Sequence, residues 1–78
     1  MKEKFIEEFK NALEIEDREI ELSDKFREYS EWDSLAQLTL IAMLDSEFGV
    51  SIESKDFEKL ITVEDLLNEV TNRVNQQD

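Results

Sequence analysis

Hydrophobic residues recur with helical spacing near both ends of the chain. Near the N-terminus they predict a first helix from Lys2 to Glu14, with apolar positions at Phe5, Ile6, Phe9, Ala12 and Leu13. Near the C-terminus, Thr62-Val63-Glu64-Asp65 resembles a capping box with Asp in place of Glu, and the apolar residues that follow share one helical face: Val63, Leu66, Leu67, Val70 and Val74. This pattern predicts a last helix that frays into residues 75–78.

Two further helices are predicted between these segments. A second helix can be capped by either Asp33 or Ser34 and ends near Phe48, just before the single glycine of the chain. Ser54-Lys55-Asp56-Phe57 opens a short third helix that ends around Leu60. The absence of proline and the single glycine favour helices over strands with tight turns. The predicted fold class is all-α, a small four-helix bundle.

Residues 15–33, between the first and second helices, keep no steady hydrophobic period. A connection of this length is uncommon in a compact domain and tends to be functional. Its apolar residues are spaced as anchors that pin a loop onto a core: Ile15, Ile20, Leu22 and Phe26. The segment is therefore predicted to be a long ordered loop rather than a linker, and residues 1–78 are predicted to form one domain.

The second helix carries apolar residues on two arcs. The first arc suits a core-facing stripe and contains Leu40, Ile41, Leu44 and Phe48. The second arc adjoins Ser34 and contains Leu35, Leu38 and Ala42. Such a helix is either buried all round at the centre of a small bundle, or it exposes an apolar patch that partners use. The periodicity alone leaves both alternatives open.

Composition narrows the function classes. The 78 residues include 21 acidic and 9 basic ones, which gives a net charge of −12. This charge disfavours binding to nucleic acid or anionic lipid and favours binding to partners with basic surfaces. There is no Cys and no His, so thiol nucleophiles, imidazole bases and the usual zinc ligands are absent, and neither an enzyme nor a metal site is expected. No stretch approaches a membrane span. We expect a cytoplasmic, monomeric protein that does not insert into membranes.

The segment Trp32-Asp33-Ser34-Leu35 places a serine where an apolar helix begins. From Leu13 to Val70 the chain resembles the acyl carrier proteins, small acidic four-helix domains that carry acyl groups as thioesters. Five features carry the resemblance: Asp33-Ser34-Leu35 as the family's D-S-L attachment motif, Phe26 as loop anchor, Glu47-Phe48 closing the second helix, Ile52 after it, and Lys59-Leu60-Ile61-Thr62-Val63 entering the last helix.

The resemblance implies a cofactor and a set of partners. The cofactor is 4'-phosphopantetheine, transferred from coenzyme A to Ser34 by a phosphopantetheinyl transferase, and its arm supplies the thiol that the chain lacks. Acyl-transferring or ketosynthase-type enzymes with basic surfaces would then use the loaded carrier in fatty-acid, polyketide or specialised lipid synthesis. The resemblance also favours the exposed-patch alternative and implies the partner-binding residues Asp33, Leu35, Leu38, Ala42 and Asp45.

Some positions depart from the family pattern. Ala36 and Thr39 stand where fatty-acid-synthesis members usually carry acids that meet basic partners, which suits a carrier dedicated to one pathway. Trp32 replaces a small residue and Ser30 a leucine, so Tyr29 or Trp32 is expected to take over core packing. An aminoacyl or D-alanyl carrier, which uses the same arm and fold, stays an alternative, as does an unmodified helical adaptor.

Overall fold

The computed structural model describes residues 2–75 and, over that range, contains four α-helices and no strand. They are α1 (Lys2–Leu13), α2 (Ser34–Phe48), α3 (Ser54–Phe57) and α4 (Val63–Asn75), and a single 3-10 turn, Phe26–Glu28, lies between α1 and α2. The predicted all-α, four-helix architecture is confirmed. The predicted fraying at 76–78 falls outside the described residues. Within the described range, no helix is both long and apolar enough to cross a membrane.

The helices and the loop enclose one hydrophobic core. Its largest fully buried side chains come from every helix and from the loop: Phe5, Phe9, Phe26, Phe57, Leu40, Leu44, Leu66, Val50, Val63 and Val70. The ring of Phe26 contacts Phe9 of α1, with 6.3 Å between centroids, and Phe57 of α3, with 5.7 Å between centroids. Edge-to-face pairs of this kind add to the free energy gained from burial. Phe26 therefore joins α1 and α3 through the loop.

Helix α1 ends one residue earlier than predicted. Glu14 adopts the left-handed conformation, with φ of 57°. The backbone N–H of Ile15 donates to the carbonyl of Lys10 (2.9 Å) and that of Glu14 donates to Asn11 (3.2 Å), which satisfies the last carbonyls of the helix. The left-handed conformation costs a non-glycine residue about 1–2 kcal/mol. The stop is set by this closing turn rather than by a glycine in the sequence.

The loop after α1 is ordered, as predicted. Ile15, Ile20 and Phe26 are buried, and Leu22 is half-buried. The carbonyl of Leu22 accepts a hydrogen bond from the N–H of Glu64 at 2.9 Å. The loop thus both packs on the core and supplies an acceptor for a free N–H at the start of α4.

The start of α4 is the predicted capping box. The Thr62 hydroxyl accepts from the N–H of Asp65, and the Asp65 carboxylate accepts in return from the N–H groups of Thr62 and Ile61, all at 3.1 Å. These backbone donors lower the pKa of the Asp65 carboxyl, because they favour its charged form. The local sequence signal and the structure agree at this helix start.

Helix α3 is shorter than predicted and ends at Phe57 rather than around Leu60. The Arg27 guanidinium donates hydrogen bonds to two carbonyls after this end of the helix, that of Phe57 at 2.7 Å and that of Leu60. It lies over the rings of Phe26, at 5.0 Å, and Phe57, at 5.3 Å. Contacts made by Phe26 and Arg27, in the loop between α1 and α2, therefore hold α3 in place.

Candidate functional site

The site is centred on the first turn of α2, where Ser34 is the first helical residue. Asp33 is the N-cap: its Oδ1 accepts a hydrogen bond from the N–H of Ala36 at 2.7 Å. The sequence left either Asp33 or Ser34 as the cap, and the structure assigns the role to Asp33. The Ser34 hydroxyl is thereby left for other chemistry.

Ser34 itself is exposed to solvent. The N–H groups of the first helical turn point towards it, and the positive end of the helix dipole favours an anion there. A phosphodiester on the Ser34 hydroxyl would lie in this field, with no side chain to displace from the oxygen. The residues present therefore fit a phosphate-linked group.

The buried face of α2 differs in part from the predicted core stripe. Leu40 and Leu44 are fully buried, as predicted. Ile41 and Phe48 are partly buried and pack against the core, so all four residues of the predicted stripe face it. Ala36 and Met43, which lie outside the predicted stripe, are also buried.

The second arc of α2 is exposed. Leu35 is 69% exposed and Leu38 63% exposed, and Ala42 is also exposed. The alternative in which α2 is buried all round is therefore wrong. Asp33 and Asp45, the two acidic residues predicted to meet partners, are exposed as well. The five residues expected to bind partners are therefore all exposed, on α2 or at its N-cap, while their binding role stays a prediction.

Ala36 and Thr39, the two uncharged positions that depart from the family pattern, lie in different surroundings. Thr39 is exposed, whereas Ala36 is only 7% exposed and borders a surface depression that Leu13 and Glu14 of the α1 end also line. Neither residue adds a negative charge to α2.

Aromatic side chains pack on the α3 side of the site. Trp32 lies against Phe26, with 5.1 Å between ring centroids, and stacks on Phe57 at 6.1 Å with 4° between the ring planes. Tyr29 meets Phe9 edge to face at 6.3 Å. Both Tyr29 and Trp32 therefore pack against the core, while their replacement of the packing expected at Ser30 stays a prediction. The pairing of Trp32 with Phe57 was missed, because the two residues are far apart in sequence.

Polar contacts fix the loop that leads into the site. Arg18 donates two hydrogen bonds to the carboxylate of Glu31, at 2.7 and 2.8 Å, and lies 4.9 Å from the centre of the Tyr29 ring. This guanidinium lowers the pKa of Glu31 to about 2. The Tyr29 hydroxyl donates to Asp24 at 2.7 Å, and burial together with that bond raises the pKa of Tyr29.

Ile61 is an exposed hydrophobic residue that sequence reasoning missed. It is 54% exposed and lies between α3 and α4. Because it belongs to no helix, no periodicity could assign it to a face.

Acidic side chains do not form a metal site in the described part of the chain. Nowhere in residues 2–75 do three or more of them gather in a group able to hold a metal ion.

Comparison with known proteins adds to this geometry. Residues 3–70 match the family model described as a phosphopantetheine attachment site. An acyl carrier protein of Petrotoga mobilis is 34% identical over 76 residues, covering 97% of this chain and 89% of that protein. The chain belongs to the acyl carrier protein family. Acyl carrier proteins are carriers and not catalysts, and the group that they bind covalently is phosphopantetheine.

Further relatives agree with this family membership. An acyl carrier protein of Thermosynechococcus vestitus is 37% identical over 64 residues, covering 82% of this chain and 79% of that protein. The solution structure of a holo acyl carrier protein from Geobacter metallireducens superposes with a TM-score of 0.84 at 19% identity, covering 96% of this chain and 86% of that one. The structural likeness confirms the fold. As an acyl carrier protein, the chain interacts with enzymes that modify it and enzymes that handle its acyl group.

Proposed function

We propose that Ser34 is the attachment point of 4'-phosphopantetheine and that this acyl carrier protein presents an acyl thioester to separate enzymes. The observation that carries the proposal is the division of roles at the start of α2. Asp33 makes the cap bond to Ala36, and Ser34, one residue further on, keeps an exposed hydroxyl at the positive end of the helix. The bound arm supplies a thiol on which the acyl group is carried.

The exposed arc of α2 is the proposed docking surface. Leu35, Leu38 and Ala42 offer apolar contact beside Ser34, and Asp33 and Asp45 flank them with negative charge. Helix α2 contains no basic residue, so its charge complements a partner with a basic face. The proposed partners are a phosphopantetheinyl transferase and acyl-transferring or ketosynthase-type enzymes of fatty-acid, polyketide or specialised lipid synthesis in the cytoplasm.

Intact-mass measurement tests the attachment. Incubation with coenzyme A and a broad-specificity phosphopantetheinyl transferase is expected to add one arm to the wild-type chain and none to Ser34→Ala. Ser30→Ala is the matched control, because Ser30 is also exposed and lies close to the site, and it should be modified like the wild type. Circular dichroism checks that each variant is folded.

Two results would overturn the proposal. A wild-type chain that stays unmodified while the same transferase modifies a known carrier would leave an unmodified helical adaptor as the function. Modification that persists in Ser34→Ala would place the arm elsewhere. Intact mass of the protein from its native host would also separate an acyl cargo from an aminoacyl one.

A further inference from the structure

An open groove lies between α1 and the first part of the loop that follows it. Its floor is apolar, formed by Ile6 of α1 and by Ile15 and Ile20 of the loop, and its volume is 610 Å³. A second depression, of 380 Å³, shares Ile6 and Ile20 and extends the floor to Leu22. We call the two together the α1–loop groove. Ile6 is only half-buried, so the floor offers apolar surface to a binding partner.

The α1–loop groove lies on the flank of α1 that is turned away from α2. Glu8 and Ala12 line the depression on the α2 side of α1, whereas Ile6 and Lys10 line the α1–loop groove. At about 100° per residue, Ile6 and Ala12 point in directions about 120° apart. The exposed arc of α2 contributes no residue to the lining of the groove. The groove is therefore separate from the docking surface proposed beside Ser34.

Acidic side chains line both sides of the α1–loop groove. Two lie on α1 and two on the loop, and all are exposed: Glu3, Glu7, Glu16 and Glu19. Within residues 2–75, none of the four forms an ion pair. The basic residues of this lining are Lys2 and Lys10, so acids outnumber them and the groove carries a net negative charge.

Two other basic side chains of these segments are directed elsewhere. Arg18 of the loop donates two hydrogen bonds to the carboxylate of Glu31, at 2.7 and 2.8 Å. Lys4 of α1 donates to the carbonyl of Glu47 and lies 5.3 Å from the centre of the Phe48 ring. Neither lines the groove, so its negative charge is available to a partner.

We propose that the α1–loop groove is a second docking surface, which takes a basic amphipathic helix of a partner protein. The apolar side chains of that helix would contact Ile6, Ile15 and Ile20, and its lysines or arginines would meet the glutamates on both sides. From Lys2 to Asn11 the α1 side is about 14 Å long at 1.5 Å per residue, which matches about two to three turns of helix.

Charge favours this occupant over a second copy of the chain. Each copy carries a net charge of −12, so two copies repel each other. Because the groove and the exposed arc of α2 share no residue, a partner held in the groove leaves Ser34 open to a second protein. The inference does not depend on whether Ser34 is modified.

Titration of the full chain with a synthetic helical peptide, followed by two-dimensional NMR, tests the inference. The peptide carries leucines on one face, spaced i, i+3, i+4 and i+7, and lysines on the other. It is expected to shift the amide signals of Ile6, Lys10, Ile15 and Ile20 and to leave that of Leu38 in place. A peptide of the same composition, with its leucines spread around the helix, should bind at least about tenfold more weakly.

A matched pair of double variants sharpens this test. Glu7→Lys with Glu19→Lys reverses one charge on each side of the groove, and Glu28→Lys with Glu58→Lys reverses two exposed charges outside it. Both pairs change the net charge equally. At low salt the first pair should weaken binding about tenfold and the second less than about twofold. Circular dichroism checks that both are folded.

Four results would overturn the inference. Shifts confined to Leu35 and Leu38 would place the peptide on α2, and equal binding of the two peptides would show charge attraction without recognition of an apolar face. Equal losses in the two double variants would likewise remove the groove as the site. The same shifts on raising the concentration of the chain alone would make a second copy the occupant.

Discussion

Trp32 lies flat on Phe57, with ring planes 4° apart and centroids separated by 6.1 Å. The stack joins the segment just before Ser34 to α3, a helix of only four residues. A helix this short has little stability of its own in water, so its position depends on packing. The stack therefore connects the local order of the segment before Ser34 to the order of α3.

Removal of this stack should destabilise the protein. Trp32→Ala is expected to lower the free energy of unfolding by about 2 kcal/mol, somewhat less than the roughly 3–5 kcal/mol of a fully buried aromatic ring, because Trp32 is half-buried. Trp32→Phe keeps a ring over Phe57 and should lose less than half as much. Urea unfolding followed by far-ultraviolet circular dichroism measures both. Equal losses in the two variants would show that the stack contributes nothing specific.

Substitution of two leucines of α2, one buried and one exposed, should affect stability differently. Leu44 is fully buried, so Leu44→Ala is expected to cost about 2–5 kcal/mol. Leu38 is exposed, so Leu38→Asp should change stability by less than about 0.5 kcal/mol while slowing modification by the transferase. Thermal melts measure the change in stability, and mass spectrometry over time measures the rate of modification. A Leu38→Asp variant loaded as fast as the wild type would remove Leu38 from the docking surface.

The left-handed residue that ends α1 offers a stabilising change. Glu14→Gly should raise the free energy of unfolding by about 1 kcal/mol, because glycine adopts φ of 57° without the clash of a Cβ atom. Glu14→Ala is the control, since it removes the same charge and keeps the Cβ. If both variants were stabilised equally, the gain would come from charge and not from backbone conformation.

The Arg18–Glu31 pair should give a pH-dependent contribution. Arg18 lowers the pKa of Glu31 from 4.5 to about 2, so the pair stabilises the fold fully above about pH 4.5 and loses that effect as the pH falls towards about 2. A double-mutant cycle with Arg18→Gln and Glu31→Gln isolates this coupling from the relief of general repulsion in acid. The coupling should be fully present at pH 7 and largely lost near pH 2, where about half of the Glu31 carboxyl groups are protonated. A coupling that did not change with pH would exclude the charged pair as its source.

Charge repulsion should limit stability in dilute buffer. The net charge is −12, and acids are concentrated around the end of α1 and the loop after it: Glu14, Glu16, Asp17, Glu19 and Glu21. Across residues 2–75 the basic members of ion pairs are Arg18, Lys55, Lys59 and Arg73, and the lysines of α1 form none. Exposed pairs are each worth under about 1 kcal/mol.

Salt should therefore stabilise this protein. Because 0.1 M salt screens exposed charges beyond about 10 Å, the melting temperature is expected to rise with added NaCl. Millimolar Ca²⁺ or Mg²⁺ should raise it further than NaCl of the same ionic strength, through loose association with carboxylates. Thermal melts at low and moderate ionic strength test this expectation. A flat or falling melting temperature would show that repulsion is not what limits the fold.

The sequence by itself determined the features that depend on neighbours a few residues away. Helical spacing located α1 and α4, the Thr62–Asp65 capping box marked a helix start, and Asp33-Ser34-Leu35 singled out the serine at the start of α2. Each of these signals involves residues within about one or two helical turns, where backbone hydrogen bonding and side-chain spacing act directly. Such local chemistry can be read along the chain without knowing its fold.

Only the tertiary structure decided which surfaces are covered. Periodicity could not tell whether Leu35 and Leu38 are exposed, and it did not place Ala36 and Met43 in the core, where both are buried. It likewise could not pair Trp32 with Phe57, 25 positions further along the chain. Burial depends on which distant segment packs against a face, and that choice is made by the whole core at once rather than by any one helix.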